Sequence, residues 1–278
     1  MTRTLDVAGQ VLREAFGRKW ILAIFGGITL ALLVLSMSLQ LEVLDGALAA
    51  SRLFGRITPM AHSEIGVALR PVIFGAAFLL FYSALIFGIV GCADFAPRLL
   101  APGRIEHLLA LPIRRWELFV GTFLGVMMLA LTATFYGALG FILIIGLKAG
   151  LWLWSLLLTA LVASACFCTI YAAMLTMATW VRSAALSAGA GFTLFFAGVM
   201  ASHRETIAAV LSPGLPREAF RAITLALPRL SGLGQAAMSV AIGERPELNA
   251  MLAHGIGMAA FAVGLLMIGL WNFEARDY

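Results

Sequence analysis

Apolar residues run along this chain in six long stretches separated by short polar segments, at 20–39, 71–93, 118–147, 149–181, 183–202 and 248–273, and none of the six contains Asp, Glu, Lys or Arg. Each is near or above the roughly 20 residues with which a helix crosses about 30 Å of hydrocarbon. Inside lipid a lone segment satisfies its own backbone groups only as a helix. The pattern therefore predicts an all-α membrane protein, a single transmembrane domain over 1–278 with six spans. At about 1.5 Å of rise per residue the third and fourth stretches outrun the hydrocarbon, so they tilt or project beyond it. Only Lys148 and glycines part these two, which predicts a tight hairpin with Trp152 and Trp154 at the interface.

Two segments follow a helical period without being apolar enough to span. Over 2–19, Leu5, Ala8, Val11, Leu12, Ala15 and Phe16 share one face, opposite Asp6, Arg13, Glu14 and Lys19. This predicts an amphipathic helix lying along the cytoplasmic interface. Over 203–247, Pro213, Pro216, Pro228 and Pro246 interrupt short pieces whose apolar positions include Phe220, Ile223 and Leu227. Broken or re-entrant helices on the outer side are expected there. Between them, Ser183, Ala184, Ala185, Ser187, Ala188, Gly189, Ala190 and Gly191 open the fifth stretch. Small residues let neighbouring helices approach closely in lipid, either within this chain or against a partner.

Composition agrees with a lipid solvent: 62% of residues are hydrophobic and 12% charged, with a mean hydropathy of +1.00, against a charged share of about 25% in soluble domains. The net charge of +5 lies in basic clusters at the ends of apolar stretches, as membrane flanks do, which argues against a nucleic-acid partner. The basic residues nearest the spans are Arg13, Arg18 and Lys19, then Arg98, Arg104, Arg114 and Arg115, then Arg182. By density and position rather than raw count, since Arg52, Arg56, Arg70, Lys148, Arg204, Arg217, Arg221, Arg229 and Arg245 fall in the opposing loops, they lead us to expect both termini on the cytoplasmic side. The first stretch follows a basic segment but exceeds the usual signal core of about 7–15 residues, so it is expected to stay as an anchor.

Candidate chemistry within the chain is sparse. It has no G-x-x-x-x-G-K-[ST] phosphate loop, H-E-x-x-H zinc helix or G-x-S-x-G nucleophile elbow. No catalytic residue, metal site or cofactor of its own is therefore expected, and the chain is not expected to be an enzyme. His62, His107, His203 and His254 are scattered, and Cys92, Cys166 and Cys168 fall in apolar stretches where thiols pack as small hydrophobes. Without ionisable pairs at depth, an ion-coupled carrier is disfavoured. Thr132, Thr134, Tyr136, Thr169 and Tyr171 are the weakly polar candidates for lining a translocation path.

The most distinctive stretch lies between the second and third spans. Pro102 and Gly103 are suited to start a helix with Ile105, Leu108 and Leu109 on one face, Pro112 ends it, and Arg114, Arg115 and Glu117 anchor the next span. On composition alone this is either an interfacial helix that orients two spans or a docking surface. The run I-E-x-L-L-x-L-P-I-x-R-x-E-L-x-x-G, from Ile105 to Gly121, resembles the cytoplasmic loop of type-2 ABC transporter permeases. VLREAFGRKW is similar to the elbow helix of that family, and LPRLSGLGQAAMSV to its outer re-entrant region. The likeness covers nearly the whole chain, and departs from the family where Ala101 and Pro102 stand in place of an acidic residue before the loop glycine.

The resemblance implies a permease subunit in a bacterial cytoplasmic membrane, pairing with a second copy or a related chain. Cytosolic ABC ATPase subunits would bind ATP and Mg and power it, with export the expected direction. It further implies that Arg104, Ile105, Glu106, Leu108, Leu109, Leu111 and Pro112 form the coupling helix that meets the ATPase, and that Arg13, Glu14 and Arg18 belong to the elbow. In length and layout the chain is similar to membrane subunits of nitrous-oxide-reductase maturation transporters, though drug, lipid or polysaccharide export fits as well. A membrane scaffold that transports nothing is the alternative from another class.

Overall fold

The structure, a computed structural model, describes every residue except 1, 18, 45–46, 54–55, 59–68, 102, 104, 107–112, 213, 245 and 277–278; for 2–3, 20, 38–44, 47–53 and 56–58 only the backbone is described. Two helices open the chain, α1 (Thr2–Phe16) and α2 (Lys19–Ser38), bent by 66° to one another. A three-stranded antiparallel meander follows, β1 (Leu39–Leu44), β2 (Ala47–Leu53) and β3 (Arg56–Thr58), with an irregularity between Glu42 and Val43. The six-stretch reading did not predict it, although Leu39 to Val43 alternate apolar and polar residues as a strand does.

The remaining elements are helical: α3 (Arg70–Cys92), α4 (Phe95–Leu99), α5 (Arg115–Ala149), α6 (Leu156–Trp180), α7 (Ala184–Ser202), α8 (Arg204–Val210), α9 (Leu215–Leu225), α10 (Leu230–Ala241) and α11 (Leu248–Ala275). Five segments among the described residues are long and apolar enough to cross a membrane, namely Arg70–Leu99, α5, α6, α7 and α11. Counted as one span, the bent pair of α1 and α2 would make the number six at most. A mainly helical, multi-pass membrane protein is thus what the chain forms, as its apolar stretches predicted.

One boundary moves. The fourth span begins at Leu156 rather than at 149, because Gly150 ends α5 in the left-handed region at φ 71° and its N–H closes the last turn on Gly146 O. The turn carries Trp152 and Trp154, both exposed, with rings stacked 6.1 Å apart.

α6 is the hub. It packs against α3, α5, α7, α10 and α11 and also meets α4, and Phe167, Ile170, Tyr171 and Met174 on it are buried. α10 inserts among α3, α6, α7 and α11, which buries Leu230, Leu233, Ala237 and Met238. By contrast α9 lies outside the bundle with only Thr224 buried, leaving Ile223 and Leu225 exposed. Broken helices were expected here from the prolines: Pro228 parts α9 from α10 and Pro216 sits in the first turn of α9, whereas the break between α7 and α8 falls at His203 without one.

Candidate functional site

α1 is helical with the apolar face its pattern predicted, and on that face Leu5 and Phe16 stay exposed. Ala8, Val11 and Ala15 of that face, together with Val7, are buried on the side of α1 pressed against α5. Gly121 and Gly125 make this possible. A Cβ on Gly121 would stand 2.7 Å from Val7 Cβ and 2.9 Å from Thr4 O, and one on Gly125 would stand 2.8 Å from Val11 Cβ and 2.9 Å from Ala8 O. Two of those four contacts are with backbone, so no side-chain rearrangement relieves them. The sequence signal was present as a small-xxx-small pair at the start of the third span. Of the expected elbow residues, Arg13 is exposed, Glu14 is half-buried, and Arg18 lies outside the described residues.

Gly121 is also the last residue of the Ile105–Gly121 pattern, so the loop runs directly into the surface that holds α1. At the start of α5 the backbone N–H of Arg114, which no helical partner satisfies, donates to Glu117 Oε2 at 2.9 Å. This is one arm of a capping box. The Arg115 guanidinium donates to Glu274 O at 3.1 Å and Arg276 O at 2.6 Å, tying the loop's exit to the end of α11. Arg276 in turn donates to Trp180 O at 3.2 Å. Before the loop, α4 buries Phe95, Ala96 and Leu99 against α6 and α7.

Of the seven expected coupling-helix residues, Ile105 is 1% exposed, its N–H donating to Ala101 O at 3.2 Å, and Glu106 beside it is exposed. Both are helical. Arg104, Leu108, Leu109, Leu111 and Pro112 lie outside the described residues.

The five path candidates are not brought together. Thr132 donates to Met128 O within its own helix. Tyr136, on the other hand, shares a 2.8 Å hydrogen bond with Thr29 on α2 and sets its ring 5.4 Å from Phe25. Thr134 pairs with Ser164 Oγ at 2.8 Å between α5 and α6, while Thr169 donates to Met258 O on α11 at 3.5 Å. Tyr171 is fully buried between Phe123 and Phe167. Thr134 and Thr169 belong to a set of α6 contacts that also includes Thr159 with Ala237 O, Thr176 with Leu265 O, and Thr179 with Asn272. These are interhelical hydrogen bonds of the kind that orient helices in lipid.

The small residues of α7 divide between two faces. Ser187 donates to Met174 O at 3.0 Å and Gly191 packs on Met174 and Ile89, so one face serves packing within the chain. The other face opens into a shallow apolar groove of about 540 Å³, lined by Met177, Leu186, Gly189, Ala190, Thr193 and Leu227 among others. No family model matches the chain, and no curated protein matches it either.

Proposed function

We propose that the chain is the membrane-spanning permease subunit of an ATP-driven transporter of the type-2 ABC class, acting as an exporter in a bacterial cytoplasmic membrane with both termini in the cytoplasm. It pairs with a second copy or a related chain and draws its energy from separate cytosolic ATPase subunits that bind ATP and Mg. The observation that carries this reading is the Ile105–Gly121 pattern together with its surroundings. The loop opens on the buried Ile105 and ends on the glycine that holds α1. A push on the loop segment that opens at Ile105 is then delivered to α1 and α5 as a unit, and through Arg115 to the end of α11.

On this reading α1 is the elbow and α10 the re-entrant helix on the outer side. Nucleotide-driven closure of the ATPases biases the spans between two arrangements through their differential contact with the loop. ATP hydrolysis belongs to the partner, and this chain carries no catalytic residue. By its resemblance to that class, cofactor maturation and drug, lipid or polysaccharide export all fit as its task.

The open face of α7, with Gly189 exposed, also favours a second reading in which the chain is a scaffold that binds other membrane proteins and carries nothing. One experiment separates the two: co-purification in detergent with the cytosolic proteins of the source cell, comparing wild type with Leu108→Asp and Leu109→Asp and assaying ATP hydrolysis. The permease reading expects an ATPase that comes down with wild type and is lost from both variants. A complex without ATPase activity overturns it in favour of the scaffold.

A further inference from the structure

The end of the bundle where α7 stops and α11 starts holds a positive charge, that of Arg229, with no ion pair to it among the described residues. Arg229 caps α10, and its Nη1 lies 3.3 Å from Nε2 of His254 on α11. A guanidinium has five N–H donors and no acceptor, so the imidazole must accept through Nε2 and carry its proton on Nδ1. The contact therefore fixes the arginine in place without cancelling its charge.

Arg204, at the start of α8, bears on the same imidazole electrostatically. Among the described residues, the ion pairs at this end join Arg204 and Arg221 to Glu205, and Arg221 to Glu218. None engages Arg229. A half-buried guanidinium with donors to spare, held in one orientation, is suited to grip two oxygens of a phosphate group.

The apolar groove on α7 supplies the other half of an amphiphile site. Leu227, which lines the groove, stands two residues before Arg229, at most about 7 Å along the backbone. Gly198, one residue beyond the groove-lining Ala197, packs against Leu230 and Pro228 O, so α7 and the approach to Arg229 are in direct contact. From there the groove follows α7 back toward Leu186 and Met177.

We propose that Arg229, supported by His254 and Arg204, binds the phosphate of an anionic phospholipid whose acyl chain lies in the α7 groove. The site does not depend on whether an ATPase drives this chain. Phosphate chemistry is shared by a lipid headgroup and a free anion, and apolar length is what tells them apart.

Native mass spectrometry of the full chain in an uncharged detergent tests this, with phosphatidylglycerol, diacylglycerol and inorganic phosphate as separate probes. Phosphatidylglycerol is expected to be retained over diacylglycerol. Arg229→Gln should weaken that retention about tenfold, the effect of losing a charge-assisted contact, and Arg229→Lys should restore part of it. Gly189→Leu, whose Cβ would meet nothing within 4 Å, should fill the groove and weaken phosphatidylglycerol but leave inorganic phosphate unchanged. Near-ultraviolet circular dichroism checks each variant's fold, with Arg204→Gln in reserve should Arg229→Gln not fold. Wild-type retention in the folded arginine variants overturns the site, and inorganic phosphate binding as tightly as phosphatidylglycerol overturns the lipid assignment.

Discussion

α6 and α11 are nearly equal in mean hydropathy, yet 67% of the most apolar stretch of α6 is buried within the chain against 11% of that of α11. Each carries five Leu and six Ala, so the difference lies in the side chains set between them. α6 adds four Thr and Ser164, whose hydroxyls reach its neighbours, where α11 has neither Ser nor Thr. α11 turns Leu252, Ile256, Val263, Met267 and Trp271 outward. In lipid a large aliphatic side chain gains little by leaving the solvent, because the acyl chains are as apolar as it is. Packing and interhelical hydrogen bonds decide burial instead.

The sharpest break of this comparison is an aromatic truncation at the hub. Phe167 is 1% exposed and its ring lies 6.0 Å from that of Tyr171. Phe167→Ala should lower stability by about 3–5 kcal/mol, the range for emptying a packed aromatic site. Unfolding by sodium dodecyl sulfate in mixed micelles, followed by tryptophan fluorescence, measures the loss. A change below about 1 kcal/mol would mean that α6 is not the packed centre of the bundle.

Next in size is the α1–α5 contact, which tests whether close approach rather than apolarity fixes a helix. Gly125→Leu should force α1 off α5, because one of the atoms it meets is Ala8 O and cannot rotate away. The expected cost is about 1–3 kcal/mol, the usual range for overpacking. Limited trypsin digestion should cut faster at Arg13, the exposed basic residue in the last turn of α1. Unchanged digestion would mean that α1 keeps its seat without the glycine.

The same distinction explains what was legible in the sequence. Runs of uncharged apolar residues report which segments prefer lipid, so the spans at 71–93, 118–147, 183–202 and 248–273 fall within or close to α3, α5, α7 and α11. Periodicity reported that α1 has an apolar face, but not that α5 covers it, since the covering surface is an absence of side chains at Gly121 and Gly125. Likewise Thr134 and Thr169 stood out as polar groups in apolar surroundings. Only the fold gives them partners in Ser164 and Met258 O, on different helices. In the meander Leu39 to Val43 do alternate apolar and polar residues, a strand signal too short to stand against the six long stretches, while β2 carries Ala47, Ala49, Ala50 and Ser51 and no such alternation. In the loop, the pattern from Ile105 to Gly121 was readable throughout, while the structure describes the pattern only at Ile105, Glu106 and 113–121.

The smallest expected effect is the one that sharpens the comparison most. Trp271 on α11 is 74% exposed, so Trp271→Ala removes as large an aromatic as Phe167→Ala does but leaves no cavity within the chain. In the isolated chain the change in stability should stay within about 0.5 kcal/mol, the range of surface positions away from special features. The same variant in the assembled protein asks a different question. If α11 faces lipid there too, the small value persists when the measurement is repeated in native membranes. Should the cost rise above about 1 kcal/mol in the assembly alone, a partner covers α11. The contrast between α6 and α11 would then distinguish a helix packed within its own chain from one held in reserve for another.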